Sequence, residues 1–248
     1  MKKLIVFSGA GLSAASGIQT FRGGNGLWNQ HRVDQVCDMM TWKDNRQLVH
    51  EFYSSRRLEL ESVGPNAAHH MIANWKSRYG EQAVILTQNI DDLLERAGCT
   101  DVVHLHGLLT DMECHACGNR WSIGYSDWKY ETDRCPNCNS FRGVKPGVVF
   151  FNQHAPLYAR LHREFKRLTH DDTVVVIGTS GQVINIDSMI FDKAAFAVLN
   201  NLEPSNDINE LYYKRVFYKP CVDAVAELDA IVTERMENGT KQGKPSGV

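Results

Sequence analysis

The sequence predicts an α/β fold, a doubly wound parallel sheet interrupted by one small inserted module, and three observations predict it. Short runs of aliphatic and β-branched residues recur at positions 4–7, 83–86, 102–105 and 174–177, with 197–199 a weaker fifth. Each is apolar without alternation, as expected of strands covered on both faces. Between them lie stretches of helical period, at 44–61, 67–78, 91–97, 155–168 and 223–236. Strand, helix, strand repeated in this way builds a parallel sheet whose ligands bind at the carboxyl ends of its strands. The third observation is a break in the rhythm: residues 113–143 are rich in Cys, Asn, Arg and Asp and poor in aliphatics.

A chain of 248 residues, 43% hydrophobic, accommodates one full core and a small accessory module. Residues 1–237 are therefore read as one domain with its insert at about 113–143. Residues 238–248, rich in Gly, Lys, Pro and Ser, are read as a disordered tail. Lys and Arg total 27 against 29 Asp and Glu, a formal charge of -2. That balance gives no field to draw the protein to nucleic acid or to an anionic membrane, so partners must be recognised locally. The apolar run after the first lysines is too short for a signal-peptide core, and no run reaches the roughly 18 residues of a membrane span. A cytoplasmic protein is expected.

The first strand runs directly into Gly9-Ala10-Gly11, followed by the small residues Ser13, Ala14, Ala15, Ser16 and Gly17. Glycines after a strand let backbone approach a pyrophosphate at a helix start. The spacing is not that of the common dinucleotide fingerprint, and a plain tight turn is the competing explanation. Other strand ends add weight: Gln88, Asn89 and Asp91 follow the second run, Gly178, Thr179 and Ser180 the fourth, and Asn201 and Glu203 the fifth. Four polar strand ends are expected to converge on one crevice.

Of seven cysteines, four form Cys114-x-x-Cys117 and Cys135-x-x-Cys138, separated by the 17 residues 118–134. Two such pairs at this spacing read as four thiolates on one zinc. A full set of four protein ligands leaves no open position, so the zinc is expected to be structural. His115 is read as a bystander. Cys37, Cys99 and Cys221 are read as small buried residues.

With these residues in view, the chain resembles the sirtuins, NAD-dependent protein deacylases. The matching motifs are residues 9–22, Gln88-Asn89-Ile90-Asp91, His104-Leu105-His106-Gly107, the four cysteines, Gly178-Thr179-Ser180 and residues 201–204. The resemblance implies a Rossmann-like core with a zinc ribbon, NAD consumed as co-substrate, and acyl-lysine proteins or peptides as partners. It implies that Gly9, Ala10, Gly11, Ser13, Ala14, Thr20, Gln88, Gly178, Thr179, Ser180, Asn201, Glu203 and Cys221 hold the cofactor. Asn89 and Asp91 would line the nicotinamide pocket, Phe21 would cover the ribose, and Arg22 would order the loop over the cofactor. His106 would be the general base, with the acyl oxygen attacking ribose C1′, and 2′-O-acyl-ADP-ribose and nicotinamide as products. His104, two residues earlier, is read as structural.

On the stretch 44–61, Val49, Tyr53, Arg56 and Leu60 share one helical face. An arginine in an apolar stripe needs an anion, unless it extends to the helix edge beside Arg57. Tyr53-x-x-Arg56 resembles the signature of sirtuins that remove succinyl and malonyl groups, with Tyr53 and Arg56 binding the acyl carboxylate. Val149, Phe150 and Phe151 are expected to offer backbone to an extended peptide. Two departures from the family pattern stand out: Phe151-Asn152-Gln153 where Phe-Gly-Glu is usual, and Gln19 in the cofactor loop. The alternatives left open are an NAD glycohydrolase or ADP-ribosyltransferase, a plain deacetylase, an oxidoreductase, and a zinc-ribbon binding protein.

Overall fold

The structure is a computed structural model describing residues 2–20 and 32–237. Six strands, β1 (Leu4–Ser8), β2 (Ala83–Thr87), β3 (Val103–His104), β7 (Thr173–Ile177), β8 (Phe196–Asn201) and β9 (Arg215–Tyr218), form one sheet in the order β3-β2-β1-β7-β8-β9. Every pairing in it is parallel. The expected doubly wound architecture is present. Strand β1 pairs with β2 on one side and β7 on the other. Connections leave it in opposite directions, and a crevice opens where they diverge.

Burial explains the unbroken apolar runs. Leu4, Val6, Ile85, Val175 and Val198 pack under the helices Ala67–Tyr79 and Val225–Glu237. Ile5, Phe7, Leu86, Val174 and Leu199 pack on the other face against Leu161 and Phe165 of the helix Tyr158–Lys166. Alternate residues of each strand thus enter different cores. The helix Ala67–Tyr79 starts on a capping box: Asn66 Oδ1 accepts from Ala68 and His69 N–H, and His69 Nδ1 accepts from Asn66 N–H.

A second sheet, in the order β5-β4-β6, is antiparallel and carries the cysteines. Its strands are β4 (Gly107–Cys114), β5 (Arg120–Ser122) and β6 (Val144–Val148). The insert therefore begins inside a strand that starts well before residue 113. Gly107 has φ +79°, and a Cβ there would strike the Gly147 carbonyl of β6. Only glycine passes between the two sheets at this point.

The helix Arg46–Ser62 joins the two halves, and both of its sides are buried. Val49, Tyr53 and Leu60 face an apolar cluster with Trp42, Val148 and Phe150. Arg57, expected at the helix edge, is instead fully buried. It donates to Ser54 Oγ and to the carbonyls of Ser126 and Leu109, and burial pulls its pKa down to about 10. His50, Ser54 and Arg57 are spaced at i, i+4 and i+7, and all three are buried. They form a second, polar face against the zinc side.

Candidate functional site

A cavity of about 620 Å3 lies at the carboxyl ends of β1, β2 and β7, a volume typical of small-molecule sites. Gly9, Ala10, Gly11, Thr20, Gln88, Asn89, His106, Thr179 and Ser180 line it, with Tyr53, Val149, Phe150 and Phe151. Several expected site residues stand behind this lining. Ser13 is buried, Gly178 lies beneath Gly9 and Gly11, and Cys221 is buried with its thiol toward the Gly11 and Leu12 carbonyls. Ala14 and Glu203 are exposed, and neither lines the cavity. Phe21 and Arg22 lie outside the described residues.

The glycines serve a purpose the sequence reading did not assign. A Cβ on Gly9 would lie 2.7 Å from Gly178 O, and one on Gly11 would lie 2.6 Å from Gly178 Cα. Gly9 N–H donates to Ile177 O, and Gly11 N–H to Gly178 O. These residues let the ends of β1 and β7 mesh, and both amide donors are spent on that contact. The helix they open, Gly11–Ala14, is a single turn, so it contributes little dipole.

Behind the lining, polar side chains bond one another. Ser13 Oγ donates to Asp91 Oδ2 at 2.8 Å and accepts from Asn89 Nδ2 at 3.0 Å. His69 Nε2 lies 3.4 Å from the same hydroxyl. Burial raises the Asp91 pKa and lowers that of His69 to about 4. Asn201 clamps Thr179, accepting from its N–H at 3.0 Å and donating to its carbonyl at 2.9 Å. Gln88 Nε2 reaches Thr179 Oγ1 at 2.9 Å.

His106 Nδ1 is 3.0 Å from the Gln88 carbonyl, and Nε2 is 2.8 Å from the Tyr158 hydroxyl. A carbonyl only accepts, so Nδ1 carries the proton and Nε2 keeps its lone pair toward the cavity. Burial holds the His106 pKa below its ordinary value. His104 is turned elsewhere, between the Asn89 carbonyl at 2.9 Å and Glu95 at 2.8 Å. These partners suit the structural role expected of it. Tyr158 was missed by the sequence reading, since one tyrosine in the first turn of a helix carries no signal.

The backbone around Phe151 is more occupied than expected. The N–H groups of Val149, Phe150 and Phe151 donate to His106 O, Gln153 Oε1 and Cys37 O. Phe151 O accepts from Met39 N–H. An extended peptide would have to pair beyond these groups or displace Cys37 and Met39. Asn152 adopts φ +61°, a left-handed conformation that Asn tolerates better than most residues. The chain turns there without the family's glycine. Asn152 Nδ2 also ties to Asp38 at 2.8 Å.

Arg56 is not unpartnered, as the sequence reading had it. Its Nη1 stands 2.9 Å from Glu59 Oε2, and its guanidinium lies over Phe52. Its Nε is nevertheless buried without a hydrogen-bond acceptor among the described residues. Tyr53 is buried, stacks on Phe150 at 5.7 Å, and makes a hydrogen bond with the Cys37 thiol.

The four zinc-candidate cysteines meet. Their Sγ atoms all lie within 4.8 Å of one another, with Cys114 to Cys138 at 3.6 Å and Cys117 to Cys135 at 3.7 Å. Zinc–sulfur bonds of about 2.3 Å in a tetrahedron put sulfurs about 3.8 Å apart. The cluster fits that metal. His115 stays out of it and pairs with Glu113 at 2.8 Å.

The Sir2 family pattern matches residues 9–185. An NAD-dependent protein deacylase of Helicobacter hepaticus is 41% identical over 92% of this chain and 96% of its own length. One from Escherichia coli is 35% identical over 97% of this chain and 84% of its own. Among solved structures, a Sir2 homologue–NAD complex superposes with a TM-score of 0.81 at 30% identity, covering 95% of this chain and 91% of that one. A Sir2 homologue bound to ADP-ribose reaches 0.83 at 28% identity, covering 98% and 95%. Sheet, crevice, cysteine cluster and sequence agree: this chain belongs to the Sir2 family.

Proposed function

We infer that this protein is an NAD-consuming enzyme that removes acyl groups from protein lysines, and that it prefers acyl chains ending in a carboxylate. The catalytic domain is residues 1–237, and the setting is cytoplasmic. Membership in the Sir2 family supports the general activity. NAD, when bound, supplies an electrophilic ribose carbon. The amide of Asn89 and the carboxyl of Asp91 suit the nicotinamide carboxamide, which both donates and accepts. The Ser13–Asp91–Asn89 bonds hold those groups in place before any ligand arrives. His106 takes the proton of a ribose hydroxyl at Nε2, with Nδ1 anchored on Gln88. The ribose hydroxyl would replace the Tyr158 hydroxyl at that nitrogen.

One observation carries the acyl preference: the half-buried Arg56, whose Nε has no hydrogen-bond acceptor among the described residues, stands beside Tyr53 next to the main cavity. A carboxylate answers a guanidinium in both charge and geometry. The ion pair with Glu59 favours a second reading, a plain deacetylase in which Arg56 is structural. Incubation with NAD and matched succinyl-, malonyl- and acetyl-lysine peptides, with products weighed by mass spectrometry, separates the two. Higher kcat/KM on the acidic acyl groups is expected. Higher kcat/KM on acetyl-lysine would establish the plain deacetylase, and ADP-ribose without acyl product would establish a glycohydrolase.

A further inference from the structure

Beside the main cavity lies a slot of about 50 Å3, bordered by Tyr53, Arg56, Glu59, Asn89 and Asp91. Tyr53 and Asn89 face both spaces. The slot is small, with room for a group of about carboxylate size. Glu59 Oε2 is already 2.9 Å from Arg56 Nη1, yet Arg56 Nε lacks a hydrogen-bond acceptor among the described residues. The guanidinium is neutralised in charge and unsaturated in hydrogen bonding.

We propose that Glu59 is a specificity-determining residue: an internal counter-ion that holds Arg56 in the free enzyme and competes with the carboxylate of an incoming acyl chain. The proposal rests on the acyl reading above, in which Arg56 receives that carboxylate. Two carboxylates at one guanidinium repel each other, so the acyl group binds as Glu59 leaves. Glu59 follows Arg56 by three residues on the helix Arg46–Ser62, and its side chain is 28% exposed. It can turn to water without disturbing the helix. Acetyl groups carry no carboxylate and meet no such competition. The discrimination between acyl classes is then a difference of two opposing terms, attraction by Arg56 and competition by Glu59.

The test compares wild type, Glu59→Gln, Arg56→Met and the double variant on succinyl- and acetyl-lysine peptides of one sequence. Glutamine keeps the length of glutamate and removes its charge. Glu59→Gln should raise the succinyl-to-acetyl ratio of kcat/KM about 3- to 5-fold, the size of one partly exposed charge pair, mainly through KM. In the Arg56→Met background that gain should vanish, because the two residues act through one contact. If Glu59→Gln leaves the ratio unchanged or lowers it while Arg56→Met still lowers it, the proposal is overturned and the acyl reading stands. If Arg56→Met leaves the ratio unmoved, the acyl reading fails and the proposal falls with it.

Discussion

On the sheet side of the crevice, Ser13, Asn89 and Asp91 bond one another within 3.0 Å, and Thr179 is clamped by Asn201. On the helix side, Arg56 Nε is buried without an acceptor among the described residues. The first wall is finished before any ligand arrives, as suits a site that must hold a reacting carbon in place. The second keeps unspent hydrogen-bonding capacity beside the acyl pocket, where substrates differ. A buried unsatisfied donor costs stability, and here it lies where a variable group is expected to enter. The same helix leans on the cysteine module, whose apolar cluster of Met112, Cys114, Trp128, Cys135 and Val144 is far smaller than the two cores on the main sheet.

The harshest break of this contrast is to remove the metal. Cys135→Ser should release zinc and bring misfolding or aggregation, since metal binding supplies on the order of 10 kcal/mol to such modules. Metal analysis and thermal melts check it, and zinc-free protein with full activity would overturn it. A smaller break is aimed at the finished wall. His106→Ala should leave Tm and NAD binding nearly unchanged while acyl transfer falls at least ~100-fold. Activity above about a tenth of wild type would remove His106 from the base role. Because burial holds the His106 pKa below its ordinary value, its neutral form persists into mild acid. The acidic limb of kcat/KM should therefore lie below ~6.5.

On the adaptable wall, Arg56→Met should weaken succinyl cleavage by ~10-fold to 1,000-fold, the range of a charge-assisted pair, while acetyl cleavage holds or improves. Tyr53→Phe should act in the same direction at smaller size. Its hydroxyl already bonds with Cys37, which offsets part of what it offers a ligand. Equal losses on both substrates would make Arg56 structural. The mildest effect is on stability. His50 and His69 have folded pKa values pushed down to about 4 by burial, below the ordinary 6.5, so the unfolded chain binds protons more readily. Their contribution is full above about pH 6.5 and is lost as pH falls toward 4. His50→Gln should flatten the decline of Tm between pH 6.5 and 4.5. A decline as steep as in the wild type would mean that His50 does not carry it.

The main sheet was legible in the sequence because strands buried on both faces have no polar alternation to disguise them, and all five expected runs became strands. β9 was not, since Arg215 and Tyr218 are exposed at the sheet edge and dilute the pattern. β6 was hidden for another reason. Its Lys145, Pro146 and Gly147 are residue types that strands seldom favour, yet Lys145 is fully buried, donating to the Pro146 and Val148 carbonyls over the Phe150 ring. At the site, glycines and paired cysteines were legible because their spacing carries their chemistry. Tyr158 on His106 and Glu59 on Arg56 were not, because nothing in sequence spacing foretells which rotamer meets which neighbour.

Strand β4 begins one residue after His106 and ends on Cys114. The proposed base and a metal thiolate are thus mounted on one beam of eight residues, about 25 Å long. Gly107, which admits no side chain, is its fulcrum. Anything that strips or oxidises the thiolates loosens the far end of that beam, so electrophiles and chelators that never enter the crevice would still reach the chemistry inside it.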